Sequence, residues 1–274
     1  MISVNTNQGA MVALQTLNKT NNQLAQVQNR ISTGQKVSTA KDNGAIWAIA
    51  NKMRSDVSAY DRVTESSERA SAMVDTAVAA GESIMELLNE MKGKALAGSQ
   101  TGLSASSQAA LAADFAQLRD QVTSIIANAS FDGANMVGAA PVSAISMGDA
   151  NGGNTITVAG ANLSLGGTVV TVTVAQDVTS AANAATALTN VNASIGALGT
   201  QLATWGAGAK RVETHKAFIS KLQDALNSGI GSLTDADLSK ESARLQSLQV
   251  KQQLGVQALS IANQSSQTAL SLFR

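Results

Sequence analysis

The sequence predicts a mainly α protein: a long helical bundle or coiled coil of N- and C-terminal helices, with a small β insertion mid-chain. Three observations carry this. In both halves of the chain, apolar residues recur in alternating steps of three and four far beyond the length of an ordinary amphipathic helix. Aromatic residues make up only 3% and there is a single proline, while Ala, Ser, Thr, Asn and Gln are abundant, a profile suited to long helices packed through small residues. Between Phe131 and Val178 the helical step is lost and an in-out alternation replaces it.

The elements follow in order. Ala10, Leu14, Leu17, Asn21, Leu24, Gln28 and Ile31 mark a first helix, which ends before the glycine- and polar-rich connector "TGQKVSTAKDNGA". A second line runs Val63, Ser67, Ala70, Val74, Ala77, Gly81, Ile84, Leu88, Met91, Ala95, until "GSQTG" breaks it. Leu111, Phe115, Leu118, Val122, Ile125 and Ala129 form a third. The stretches "NTITVAG", "NLSLGG" and "TVVTVTV" then read as β-branched strands divided by Gly and Asn turns. Too small for a core of its own, this excursion is expected to pack on the distal end of the helices.

From Ala184 the step lands on Leu188, Val191, Ile195, Leu198, Leu202, Trp205, Ala209, Val212, Lys216, Ile219, Gln223, Leu226 and Ile230, with twelve of fourteen positions apolar. Thr234 as N-cap and Asp237 in the first turn place the start of the last helix near Asp235. Running to Phe273, it would be about 55 to 60 Å long at 1.5 Å per residue. Leu245, Leu248, Gln252, Gly255, Leu259, Ala262, Ser266, Ala269 and Phe273 form one line on it. A second line, Val250, Leu254, Ile261 and Leu272, is read as lying beside the first, in an apolar arc too wide for one partner helix.

Charge and motifs narrow the function. Nineteen basic residues balance nineteen acidic ones, so no field draws in nucleic acid or anionic lipid. No stretch has the roughly 18 consecutive apolar residues of a spanning helix, so membrane insertion is not expected. The N-terminus lacks a basic start followed by an apolar run, so the expected export route uses no cleaved signal peptide. With no cysteine, neither disulfides nor Cys-ligated metals can form. His215, the sole histidine, is expected at a solvated helix position. Asp149, Asn151 and Gly152 echo a calcium loop without its later acidic ligand and read as a turn. "GAGAK", Gly206 to Lys210, lacks the Ser or Thr of a P-loop and falls inside the heptad line. No catalytic, metal or cofactor residue is therefore assigned, and no enzyme is expected.

Leu14 to Ala45, "LQTLNKTNNQLAQVQNRISTGQKVSTAKDNGA", resembles the amino-terminal segment of bacterial flagellins, where a long helix leads into an "RLSSG...SAKDDAAG" connector. Leu233 to Arg274, with its "DAD" start and closing "LSLFR", resembles the flagellin carboxyl terminus, and "NASFDGANMV" resembles the family's turn after its second core helix. The middle is shorter than in long flagellins. The resemblance implies a homopolymer of many copies, the extracellular flagellar filament. A flagellar cap, hook-filament junction proteins and an export chaperone are implied partners. It divides the chain into a filament-core helix at 1–43, bundle segments at 44–135 and 181–232, an outward-facing β excursion at 136–180, and a second filament-core helix at 233–274. The assembly interface it implies comprises Leu14, Leu17, Leu24, Ile31, Val250, Leu254, Leu259, Ile261, Leu270, Leu272 and Phe273. A hook-filament junction protein, sharing such terminal helices, is the alternative reading.

Deleting Leu270 to Arg274 is expected to leave an exportable chain whose bundle melts normally but which does not polymerise. Filament length by electron microscopy checks this, and normal filaments from the truncated chain would refute it.

Overall fold

The computed structural model describes the backbone of residues 7–271 and the side chains of residues 7–264. Within these, five helices and four short strands follow one another: α1 Gln8–Thr33, α2 Gly44–Gly98, α3 Ala105–Asn128, β1 Ser130–Phe131, β2 Ala134–Asn135, β3 Ala144–Met147, β4 Thr155–Val158, α4 Ala181–Thr234 and α5 Leu238–Ser271. They divide into two compact units, one built from the two ends of the chain up to Ser55 and from Asp224, the other from Asp56–Gln223.

In the first unit α1 and α5 run antiparallel. Asn7 Nδ2 donates to the Ala262 carbonyl at 2.8 Å, and Gln252 Nε2 donates to Asn21 Oδ1 at 2.8 Å. Asn7 also caps α1, its Oδ1 accepting from the Ala10 N–H at 3.0 Å, and Gly34 ends the helix in the left-handed conformation with φ 68°. The connector is held by polar groups. The Asp42 carboxylate accepts from the backbone N–H and hydroxyl of both Ser38 and Thr39, and Asn43 caps the start of α2 through the Ile46 N–H. Lys36 N–H donates to the Thr234 carbonyl and Ala236 N–H to the Gly34 carbonyl, which ties the connector to the junction of α4 and α5.

That junction differs from the expected one. Thr234 is the last residue of α4 rather than a cap, because its buried hydroxyl is taken by the Ile230 carbonyl four residues back. Asp237 caps α5 instead, accepting from the Lys240 N–H at 3.1 Å.

In the second unit, every heptad position of α2 from Val63 to Ala95 is buried, and those of α3 and α4 are buried or half-buried. Ile84, Leu88, Met91, Phe115, Leu198 and Trp205 are among the largest side chains of the resulting core. A two-residue turn joins β1 to β2, with Asp132 and Gly133 at φ 50° and 76°. Positive φ at both central positions is what an Asp-Gly hairpin turn supplies. Asp132 also pairs with Arg69 of α2 at 2.8 Å.

The middle departs from expectation twice. "NTITVAG" contributes β4, which pairs with β3, a strand the sequence did not announce, whereas "NLSLGG" and "TVVTVTV" form no strands. The alternation holds over three residues, with Val170 and Val172 buried around an exposed Thr171, and fails at Val174, which is exposed. The backbone, however, finds partners outside any ladder: Thr171 N–H donates to Ser194 Oγ of α4 at 2.9 Å and Gly166 N–H to the Val172 carbonyl. Nor does the excursion sit at an end of the helices. It lies along them, bonded to Ser66 and Ser67 of α2, Gln108 and Arg119 of α3, and Trp205 and Arg211 of α4. A two-stranded hairpin has two open edges, and helix side chains close both.

Trp205 Nε1 donates to the Ala159 carbonyl at 2.8 Å while its ring is fully buried. Trp205→Phe should lower stability by about 1–3 kcal/mol, because it leaves that carbonyl unpartnered in the interior; urea unfolding midpoints measure this. The Asn183 amide, then the hydroxyl and N–H of Thr179, hold the Asp177 carboxyl below its usual range. The folded chain thus favours the carboxylate, and its contribution is complete above the unfolded value of about 3.9 and lost as pH falls through the lower folded one. Asp177→Ala should therefore lower the melting temperature at pH 6, with the gap to the parent closing below about pH 3.9.

Candidate assembly surface

α5 carries apolar residues on two faces. At 100° per residue, the line Leu245, Leu248, Gln252, Gly255, Leu259, Ala262 and the line Val250, Leu254, Ile261 lie roughly 150° apart around the helix. They are therefore nearly opposite, not neighbouring parts of one arc. The first line faces α1: Leu248 is buried, Leu245 and Leu259 are half-buried, and a Cβ added at Gly255 would lie 3.3 Å from Leu17 Cδ1. The second line is uncovered, with Val250, Leu254 and Ile261 at 55%, 57% and 67% exposure.

On α1 the buried residues are Thr20 and Val27, with Leu17, Leu24 and Ile31 half-buried. Leu14 is 48% exposed. Thr20 and Val27 occupy the seam where the sequence reading placed Asn21 and Gln28. The signal lay in the alternative steps Thr20, Leu24, Val27, Ile31, which keep the same period one position earlier.

The expected interface residues thus fall into two sets. Leu17, Leu24, Ile31 and Leu259 are partly covered within the chain, while Leu14, Val250, Leu254 and Ile261 are open. Exposed Met11, Val12 and Val256 join the open set, unmarked beforehand because they fall off the heptad lines. Leu270, Leu272 and Phe273 lie outside the residues whose side chains are described.

The motifs weighed for chemistry take structural places. Asp149 accepts from the N–H groups of Asn151, Gly153 and Asn154 and from Asn154 Nδ2. The Gly153 N–H foremost among them holds its carboxyl below the usual range, and the group closes the turn between β3 and β4. "GAGAK" is continuous α4, and its Gly208 admits β4 at close range: a Cβ there would stand 2.8 Å from Val158. His215 is not solvated as expected. It is half-buried, its Nε2 is enclosed without a partner, and its ring centroid lies 6.2 Å from that of Phe218. Among the described residues no group of His, Asp and Glu is placed to hold a metal ion, and no helix is long and apolar enough to cross a membrane.

A closed helical core together with an antiparallel helix pair that leaves one apolar face bare defines a structural subunit of the self-assembling kind. Known proteins agree with that class. The bacterial flagellin N-terminal helical region matches residues 4–140 and the bacterial flagellin C-terminal helical region matches residues 178–273. Flagellin FljM of Caulobacter vibrioides is 47% identical over 272 residues, spanning 99% of this chain and 98% of its own, and a flagellin of Brucella melitensis is 39% identical over 284 residues, spanning all of both. The crystal structure of Bacillus cereus flagellin shares the fold over 56% of this chain and 88% of its own, with TM-score 0.50 and 20% identity. The chain belongs to the bacterial flagellin family. It is a structural protein, not an enzyme: a subunit that polymerises into the extracellular flagellar filament, and the hook-junction alternative is not favoured.

Proposed function

We propose that the filament is held together at the chain ends by the apolar face that α1 and α5 leave uncovered in one copy. The observation that carries this is the exposure of Val250, Leu254 and Ile261 in one stripe on the side of α5 turned from α1. Leu14 is a further exposed apolar residue, on α1, and toward the terminus Leu272 keeps the step of this stripe in the sequence, while Leu270 and Phe273 keep that of the first line. Leu17, Leu24, Ile31 and Leu259 act one step earlier, pairing the helices so that the stripe exists. Full burial of a Val, Leu or Ile side chain contributes about 1.5–3 kcal/mol, so a neighbour's face can offset the ordering of two long helices that a lone chain orders with less gain.

In this reading 1–43 and 233–274 form the filament core, 44–135 and 181–232 the adjoining bundle, and 136–180 the outward-facing part. The cap, the hook-filament junction proteins and an export chaperone are the further partners. The family resemblance supports these assignments.

Val250→Ser, Leu254→Ser and Ile261→Ser together should leave helicity and the melting of the bundle intact. At about 1.5 kcal/mol or more for each residue, they should raise the critical concentration for polymerisation about a thousandfold or more. Sedimentation of seeded filaments reads this, and an unchanged critical concentration would remove the stripe from the interface.

A further inference from the structure

Apolar packing alone leaves the alignment of α1 against α5 poorly determined. Leu17, Leu24 and Ile31 repeat every seven residues on α1, and on α5 so do Leu245, Gln252 and Leu259, and Leu248, Gly255 and Ala262. A slide of one heptad therefore returns apolar side chains largely to apolar side chains, and burial discriminates weakly among registers.

Set into this seam is an ion pair. Arg30 Nη1 lies 3.1 Å from Glu241 Oε1, with the two side chains only 21% and 11% exposed. The pair is incompletely used, since Arg30 Nε and Glu241 Oε2 are both enclosed without a partner. Such a pair loses to desolvation much of what it gains in attraction, so stability does not account for its presence.

We infer that Arg30 and Glu241 are the positioning residues that select one register of α1 on α5. With Leu17 at Gly255, a one-heptad slide in one direction brings Leu24 to the level of Glu241 and carries Arg30 past the start of α5. In the other direction Arg30 arrives at the level of Leu248, and Glu241 passes the end of α1. Either slide strands a charge in the seam, and the native register alone joins the two. Breaking a buried pair is far costlier than replacing it with apolar groups, so the pair penalises wrong alignments more than it stabilises the right one. The Asn21–Gln252 hydrogen bond marks the same register from the solvent side. The consequence is positional: the register fixes the offset along the pair between the stripe of Val250, Leu254 and Ile261 on α5 and the exposed apolar residues of α1.

The chain has no cysteine, so an engineered pair reports alone. A Cβ at Gly255 would lie 3.8 Å from Leu17 Cβ, within disulfide range. Full-length L17C/G255C should therefore close an intrachain disulfide on mild oxidation, read by non-reducing gel shift and intact mass. L17C/L248C and L17C/A262C report the two slides and should stay open. In an R30M/E241L background the 17–255 yield should fall several-fold while 17–248 or 17–262 rises to a similar level. The reversed pair R30E/E241R should restore closure at 255 alone.

Exclusive closure at 255 in the R30M/E241L chain would overturn the inference, since apolar packing and the backbone bonds of Lys36 and Ala236 at the connector would then suffice. A joint fall of all three yields would overturn it too, because the pair would be holding the helices together rather than aligning them. Loss of exclusivity in the reversed pair would assign the effect to the helix ends on which the two charges sit. The readout lies within one chain, so it is independent of whether the stripe is the polymer contact.

Discussion

A helix with two opposed apolar faces cannot hide both against one partner, and α5 is such a helix. Its line through Leu248, Gly255 and Leu259 is taken by α1, while the line through Val250, Leu254 and Ile261 is more than half exposed among the described residues of a single copy. The arrangement is asymmetric in use. The covered face makes a helix pair, and the open face makes that pair incomplete. Because the family forms a filament, incompleteness is the useful property here: a subunit that satisfied both faces by itself would have less reason to add to a growing end.

The other unit obeys the opposite rule. Ile84, Leu88, Phe115, Leu198 and Trp205 belong to one core, and the segment from Ser130 to Val178 is laid over the helices with its polar backbone satisfied by two short strand pairs, by bonds within the loops and by helix side chains. Trp205 and Arg211 donate to carbonyls beside and within β4, and Ser66 accepts from the edge of β3. Gly208 supplies the room, since any Cβ there would collide with Val158. A hairpin too small to stand alone thus becomes part of the core through contacts that mix apolar filling with capped strand edges. The same economy explains the composition: small residues let helices and backbone approach closely, and few aromatic anchors are needed.

Most of the helical architecture was legible because burial has a period. The positions picked on α2, from Val63 through Ala95, are all buried in the structure, and "GSQTG" and "TGQKVSTAKDNGA" fall between helices as Gly and Asn require. What failed did so where more than one partner competes for a group. Thr234 has the chemistry of a cap, yet its hydroxyl is claimed by Ile230 inside α4, and Asp237 caps α5 instead. The Val-Thr stretch at 168–174 announced the burial of Val170 and Val172 but not the exposure of Val174, nor what the backbone bonds to, since Ser194 is distant in sequence. His215 looked solvated because nothing nearby in the chain encodes Ile156, which the fold brings to the same groove. For the assembly surface, periodicity named the apolar residues of α5 but not their separation: the second line was read as flanking the first, whereas counting 100° per residue puts it nearly opposite.

The regularity that makes the terminal helices easy to read also makes their pairing ambiguous. A repeat of seven gives a strong signal for a helix seam and, for the same reason, several alignments of similar burial. Apolar side chains specify that two helices meet; polar groups specify where. In the α1–α5 seam the polar groups are few and distributed along its length: Asn7 at Ala262, Asn21 at Gln252, Arg30 at Glu241. Two of these are hydrogen bonds between neutral groups that water can replace at modest cost, and the third is a partly buried ion pair that water cannot easily replace. The costly interaction also sits near the connector, where Lys36 and Ala236 already lock the turn to Thr234 and Gly34. Alignment is thus fixed hardest at the anchored end and propagated along two rigid helices toward the free termini, so a register chosen there determines which apolar residues the termini present.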